Sequence, residues 1–148
     1  MMAFPGVPCI YYGCEIGMTG GISHSDNREC MIWDEDQWDK DLLDFYKKII
    51  RIRKDSHAMK HGGFQLLHAE NDLVAFLRES AEQTIMAVGY RGKKKLSDEK
   101  LNLAYAGIAD GTVLCDLLSD REFTVKKGKI KLPKMKQGSA LLLEVQSQ

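Results

Sequence analysis

The stretch FPGVPCIYYGCEIG, Phe4–Gly17, holds an apolar run, Val7–Tyr12, framed by Pro5, Gly6 and Pro8 in front and by Gly13 and Gly17 behind. The run is short, rich in β-branched and aromatic residues, and lacks alternation of apolar and polar positions. A strand buried on both faces reads this way, and such strands belong to parallel sheets or barrels. A parallel strand needs parallel neighbours, and the remaining sequence offers none. The pattern therefore reads as the end of something larger.

The totals exclude several classes. At 148 residues the chain has room for one ordinary domain, or for a small domain plus part of another. With 44% hydrophobic and 28% charged residues, its composition is that of a globular protein. Lysine and arginine balance aspartate and glutamate at 21 each, so no global charge draws the chain to nucleic acid or to an anionic membrane. No apolar run is long enough to cross a bilayer. The start, MMAFPGVP, lacks the basic and long apolar regions of a signal peptide. A cytoplasmic location is expected, or a natural start further upstream; the repeated Met1-Met2 fits an internal start. Cys9, Cys14, Cys30 and Cys115 show no C-x-x-C spacing and read as free thiols, with Cys9 a small core residue of the run.

Beyond the run, Met18–Met31 is a polar, glycine-containing loop with turn formers at Gly20-Gly21, Ser23, Ser25 and Asp26-Asn27. Acidic residues Asp34, Glu35, Asp36 and Asp39 then crowd ahead of an amphipathic segment, where a helix dipole favours them. Leu42, Phe45, Tyr46, Ile49 and Ile50 recur at helical spacing and predict a helix from about Asp39 to Asp55. Asp39 or Asp36 is its expected N-cap. Its apolar stripe predicts one packed face; basic Arg51 and Arg53, late in the helix, read as solvated.

After Gly63 the period changes. Phe64–His68, Leu73–Glu79, Gln83–Tyr90, Leu101–Ala104, Thr112–Leu118, Glu122–Val125, Lys129–Leu132 and Ser139–Val145 read as short strands separated by turns. That spacing suggests an antiparallel sandwich or barrel. In the second strand Leu73, Ala75 and Leu77 alternate with Val74, Phe76 and Arg78, so either set can face the core. Arg91–Lys100, with Lys93-Lys94-Lys95, reads as a solvated charged loop.

No self-sufficient catalytic motif is present: neither a phosphate-binding glycine loop nor a G-x-S-x-G elbow occurs. His57 and His61 stand four apart across a helix end and read as surface or capping groups ahead of a metal pair. Asp34-Glu35-Asp36 lacks the grammar of a calcium loop, so a calcium site is possible in principle but unsupported, and no metal or cofactor is expected.

PGVPCIYYGCEIGMTGG, then SDNRECMIWDE, then DLLDFYKKIIRIRKDSHAM and HGGF together resemble the end of an α-amylase-type enzyme of glycoside hydrolase family 13. The nearest group is that of neopullulanases, cyclomaltodextrinases and maltogenic amylases. The resemblance implies that G-x-P-x-I-Y-Y-G-x-E-x-G is the last barrel strand with its loop, and that the next helix is the last barrel helix. It implies a mainly β chain: residues 1–60 a remnant of a (β/α)8 barrel, residues 61–148 a C-terminal antiparallel β-sandwich. A complete barrel takes about 250 residues. Barrel active sites lie at the C-terminal ends of the strands, so the loop Gly13–Met31 would face a substrate cleft. Glycoside hydrolysis needs two carboxyl groups across the scissile bond. The family carries them on earlier strands, so no catalytic residue is expected in this chain.

Family binding positions carry over one by one. A family D-P-x-N-R segment corresponds to His24-Ser25-Asp26-Asn27-Arg28: Asn27 and Arg28 match, while His24 and Ser25 replace the Asp and Pro. Arg28 is expected to donate to sugar hydroxyls or to pair with Glu29 or Asp26. Glu15 matches a family glutamate that binds or holds the loop, whereas Cys14 departs from the usual polar residue. Tyr12, with Tyr11, is expected to stack on a sugar or to pack against the barrel wall. The resemblance implies the C-terminal piece of a glycosidase acting on starch, maltodextrin, pullulan or cyclodextrin. It would supply a cleft wall and a stabilising sandwich, with an α-glucan or maltooligosaccharide as partner and no nucleic acid or membrane. The alternatives are a non-enzymatic carbohydrate-binding module and a homo-oligomer formed through exposed barrel-remnant surface.

Overall fold

A computed structural model describes residues 1–146. The chain divides into two compact units, Met1–Asp55 and Ser56–Gln148.

The first unit has no strand among its described residues. Val7–Tyr11 has no regular secondary structure and Tyr12 lies in a turn, so the run is unpaired, with Val7 96% exposed. The strand expected there is not formed in this unit: a parallel strand exists only when neighbours satisfy its N–H and C=O groups, and this unit supplies none. Cys9 is exposed for the same reason and is not a core residue. The run instead ends in a 3-10 turn, Cys14–Ile16, bracketed by Gly13 and Gly17 at φ +81° and +85°. Left-handed backbone of this kind favours glycine.

Helix α1 spans Lys40–Asp55. Asp39 caps it, its carboxylate accepting from Leu42 N–H at 2.9 Å. Asp34, not Asp36, caps the preceding 3-10 turn, Glu35–Gln37. No residue of α1 is fully buried; Leu42, Tyr46, Ile49, Ile50 and Ile52 are half-buried and Phe45 is exposed. The stripe formed as expected, but in its own unit only short, irregular segments are available to cover it. Arg53 is not simply solvated. Its guanidinium donates to the carbonyls of Met2, Phe4 and Gly6, tying the N-terminal segment to the helix.

In the second unit, a short helix α2, His57–His61, is capped by Ser56 Oγ accepting from Met59 N–H at 3.0 Å. Eight strands follow: β1 Gly63–Glu70, β2 Leu73–Glu79, β3 Thr84–Tyr90, β4 Lys100–Asn102, β5 Val113–Asp116, β6 Glu122–Thr124, β7 Lys129–Lys131 and β8 Ala140–Val145. Six form an antiparallel sheet in the order β1-β2-β3-β8-β5-β6, and β4 pairs with β7 in a two-stranded ribbon. The core lies between sheet and ribbon: Leu77, Met86, Leu114, Leu143, Leu101, Ile130 and Met135 pack in one cluster. The ambiguous strand resolves here. Leu73, Ala75 and Leu77 face this core, while Phe76 and Arg78, on the other face, are also buried. Helix α2, whose Ala58 and Met59 are fully buried, packs on β2 and β3. Arg78, 2% exposed, donates to the carbonyls of Gly62 and Gly63 at 2.8 and 3.1 Å. No helix among the described residues is long and apolar enough to cross a membrane.

Candidate functional site

The polar loop of the first unit folds back on the tyrosine pair. Tyr11 Oη donates to the Asn27 carbonyl at 3.1 Å and Tyr12 Oη to the Glu29 carbonyl at 2.8 Å. Their rings sit 4.6 Å apart, tilted by 43°. The hydrogen bond with Tyr11, followed by partial desolvation, pushes the Tyr12 phenol up from its ordinary value. Two consecutive tyrosines thus work as a clasp on the far end of the loop.

Inside the loop, Ser23, Ser25 and Asp26 form a local hydrogen-bonded knot. Asp26 N–H donates to Ser23 Oγ, and the Asp26 carboxylate accepts from Ser23 N–H and Ser25 Oγ. Ser23 above all holds that carboxyl below the usual carboxylate range. Asn27 spends its amide on the carbonyls of Gly21 and Ser23, at 3.1 and 3.0 Å. Gly20 and Gly21 leave room for these side chains: a Cβ on Gly20 would stand 2.0 Å from Asn27 Oδ1, and one on Gly21 would stand 2.2 Å from Asp26 Oδ2.

The result is a small cleft of about 150 Å³ lined by Tyr11, Tyr12, Cys14, Met18, Thr19, Gly20, Asp26, Asn27 and Glu29. It brings together two of the four expected binding residues, Tyr12 and Asn27. The other two lie outside its lining. Arg28 is exposed and makes no ion pair with Glu29 or Asp26 among the described residues. Glu15, on the 3-10 turn, is half-buried, and its Oε2 is enclosed without a hydrogen-bond partner. Within this unit Tyr11 and Tyr12 are 54% and 42% exposed. Aromatic faces beside amide and hydroxyl groups suit a sugar. The Asp26 carboxylate in the cleft is committed to its own loop, which leaves it poorly placed for acid–base work. No group of three or more His, Cys, Asp or Glu among the described residues is arranged to hold a metal ion.

No family model matches the chain. A cyclomaltodextrinase from a Bacillus species is 40% identical over 112 residues, 74% of this chain and 20% of that protein. Neopullulanase 2 of Thermoactinomyces vulgaris is 34% identical over 134 residues, 88% of this chain and 22% of that protein. The chain is a relative of the C-terminal portion of α-amylase-type enzymes. Among solved structures, an Anoxybacillus α-amylase superposes with a TM-score of 0.82 at 26% identity, covering 97% of this chain and 30% of its own. A cyclomaltodextrinase superposes with a TM-score of 0.81 at 32% identity, covering 98% of this chain and 24% of its own. This α-amylase-type chain therefore spans about a fifth of the length of the relatives that it matches in sequence.

Sequence reading missed the Ser23–Asp26 knot and the tyrosine clasp. The knot had a visible signal, a serine three residues before an aspartate, which is a local turn grammar. The clasp had none, because it joins residues 16 and 17 positions apart. A larger hollow of about 570 Å³ lies in the second unit, at the β1–β2 turn and the start of β8, lined by Asn71, Asp72, Tyr90, Arg91 and Ser139 among others. Arg91 and Asp72 pair across it at 2.9 Å. It lacks the unsatisfied, convergent polar groups of a built site, and the loop cleft remains the better candidate despite its smaller volume.

Proposed function

We propose that this chain is the C-terminal part of a glycosidase acting on α-glucosidic bonds of starch, maltodextrin, pullulan or cyclodextrin. In this reading Val7–Tyr12 becomes the last barrel strand once flanking strands satisfy its backbone. The loop Gly13–Met31 then forms one wall of the cleft, with Tyr12, Asn27, Arg28 and Glu15 toward an α-glucan. The eight-stranded unit stabilises the assembly. The observation that carries the reading is the tyrosine clasp. It holds the loop against the motif whose sequence resembles a strand end at a barrel mouth, where barrel enzymes bind substrate. The catalytic carboxylates belong to other strands, so the chain alone is inactive.

Two measurements test this. The coding DNA upstream of Met1 is expected to continue in frame into a barrel with its catalytic carboxylates; an unrelated upstream domain overturns the reading. The isolated chain is expected to release no reducing sugar from maltoheptaose or β-cyclodextrin, and turnover by it overturns the inactivity. A second reading, self-association, is favoured by the exposed Val7, Ile22 and Trp33 of the first unit. Light scattering tests it directly: a concentration-independent monomer rejects it.

A further inference from the structure

Although the whole chain is electrically balanced, its basic charge is not evenly spread. Thr124–Lys136 carries six lysines and no acidic residue. The β4–β7 ribbon explains where they go. Lys100 stands opposite Lys131 and Asn102 opposite Lys129, while Leu101 and Ile130, between them, are 2% and 0% exposed. The two-residue period therefore turns Lys100, Lys129 and Lys131 outward together. Lys126 bridges back to Lys129 around a tight turn with Lys127 and Gly128 at φ +53° and +66°. Asp110 fixes that turn: its carboxylate accepts from Lys127 N–H at 2.8 Å and from Gly128 N–H at 2.6 Å.

These side chains line a groove of about 480 Å³, formed by Lys100, Thr124, Lys126, Lys127, Lys129 and Lys131. Like charges placed directly across a ladder destabilise it. One carboxylate offsets them in part: Asp98 pairs with Lys131 at 2.8 Å. Asp110 is engaged by the turn's backbone, and Lys100, Lys126, Lys127 and Lys129 form no ion pair among the described residues. A concave surface lined by one sign of charge focuses potential and concentrates counter-ions.

We propose that this groove is a binding site for a multiply charged phosphate chain. Five of the six lining residues are lysine, a set of point-charge donors on flexible stems, suited to several tetrahedral oxyanions in succession. No aromatic side chain lines the groove, so it has no platform on which nucleobases could stack, as single-stranded nucleic acid requires. The site is independent of the proposed glucan cleft, which lies in the other unit.

The test is calorimetric titration of inorganic tripolyphosphate into the full chain at low salt. Lys126→Gln/Lys129→Gln changes exposed side chains and should leave the far-UV spectrum unaltered. The expected result is binding by the unmodified chain, at least tenfold weaker in this variant. The charge-matched control Lys40→Gln/Lys47→Gln should stay within twofold. Amide shifts at Lys129 and Lys131 in the unmodified chain locate the ligand without any substitution. Absent binding, equal weakening in both variants, or shifts elsewhere overturns the proposal. So does binding of oligothymidine that tripolyphosphate cannot displace, which assigns the groove to nucleic acid.

Discussion

Asp116 shows how much one side chain can hold. It is 1% exposed, and its carboxylate accepts from the N–H groups of Leu118 and Leu142 and from Ser119 Oγ, with Arg121 at 3.8 Å. It thereby joins the turn after β5 to the neighbouring strand β8. Truncating it removes the carboxylate acceptor of both N–H groups and of Ser119 Oγ, and buried hydrogen bonds lost in this way are costly. Asp116→Ala is expected to destabilise the chain by about 3 kcal/mol, read from urea unfolding. Asp98 is the contrasting exposed case. Its hydrogen bond with Lys131 holds the carboxyl below the usual carboxylate range, helped by the charges of Lys131, Lys134 and Lys100. A depressed folded value makes the pair favourable above about pH 4, the unfolded carboxylate value, and the benefit fades as pH falls through the folded one. Lys131→Gln should therefore raise the Asp98 titration midpoint in carbon-detected NMR; an unmoved midpoint contradicts the pairing. At this scale Asp39 was legible in sequence as a cap, and Ser23, Ser25 and Asp26 as turn formers. Arg53 was not, because its acceptors are carbonyls some 50 positions away, at Met2, Phe4 and Gly6.

At the scale of elements, period and punctuation located every strand of the second unit. β2 coincides with the expected Leu73–Glu79, and the other strands depart from expectation by a few residues at their ends. Short alternating runs between turn formers leave little freedom in where pairing starts and stops. The junction of α2 with β1 depends on a close approach that no pattern reveals. A Cβ on Gly62 would lie 2.5 Å from the Ala58 carbonyl oxygen and 2.7 Å from that of Glu79. Both are backbone atoms and cannot swing aside. Gly62→Ala is expected to cost roughly 1–3 kcal/mol through overpacking, seen as a lowered midpoint in thermal melts. Gly63→Ala, where the nearest atom is 3.8 Å away, is the control and should be close to neutral.

Over the whole molecule, apolar burial is concentrated on one side of Asp55. In the first unit the fully buried apolar residues are Met2, Ala3 and Ile16, whereas the second encloses a continuous cluster between sheet and ribbon. Local stability follows buried contacts. Amide exchange is expected to be slow in β2, β3 and β8 and fast throughout residues 1–34; uniform protection across both units contradicts that division. Sequence alone was enough for the antiparallel strands, the amphipathic helix, the turns and the kinship with α-amylase-type enzymes, because each rests on residues close together in the chain. Tertiary structure alone decided which face of β2 meets the core, that Val7–Tyr12 stays unpaired, that the tyrosines clasp the loop, and that lysines gather in one groove. Those outcomes depend on which distant backbone groups and surfaces are at hand to accept a hydrogen bond or exclude water, and linear spacing carries no record of them.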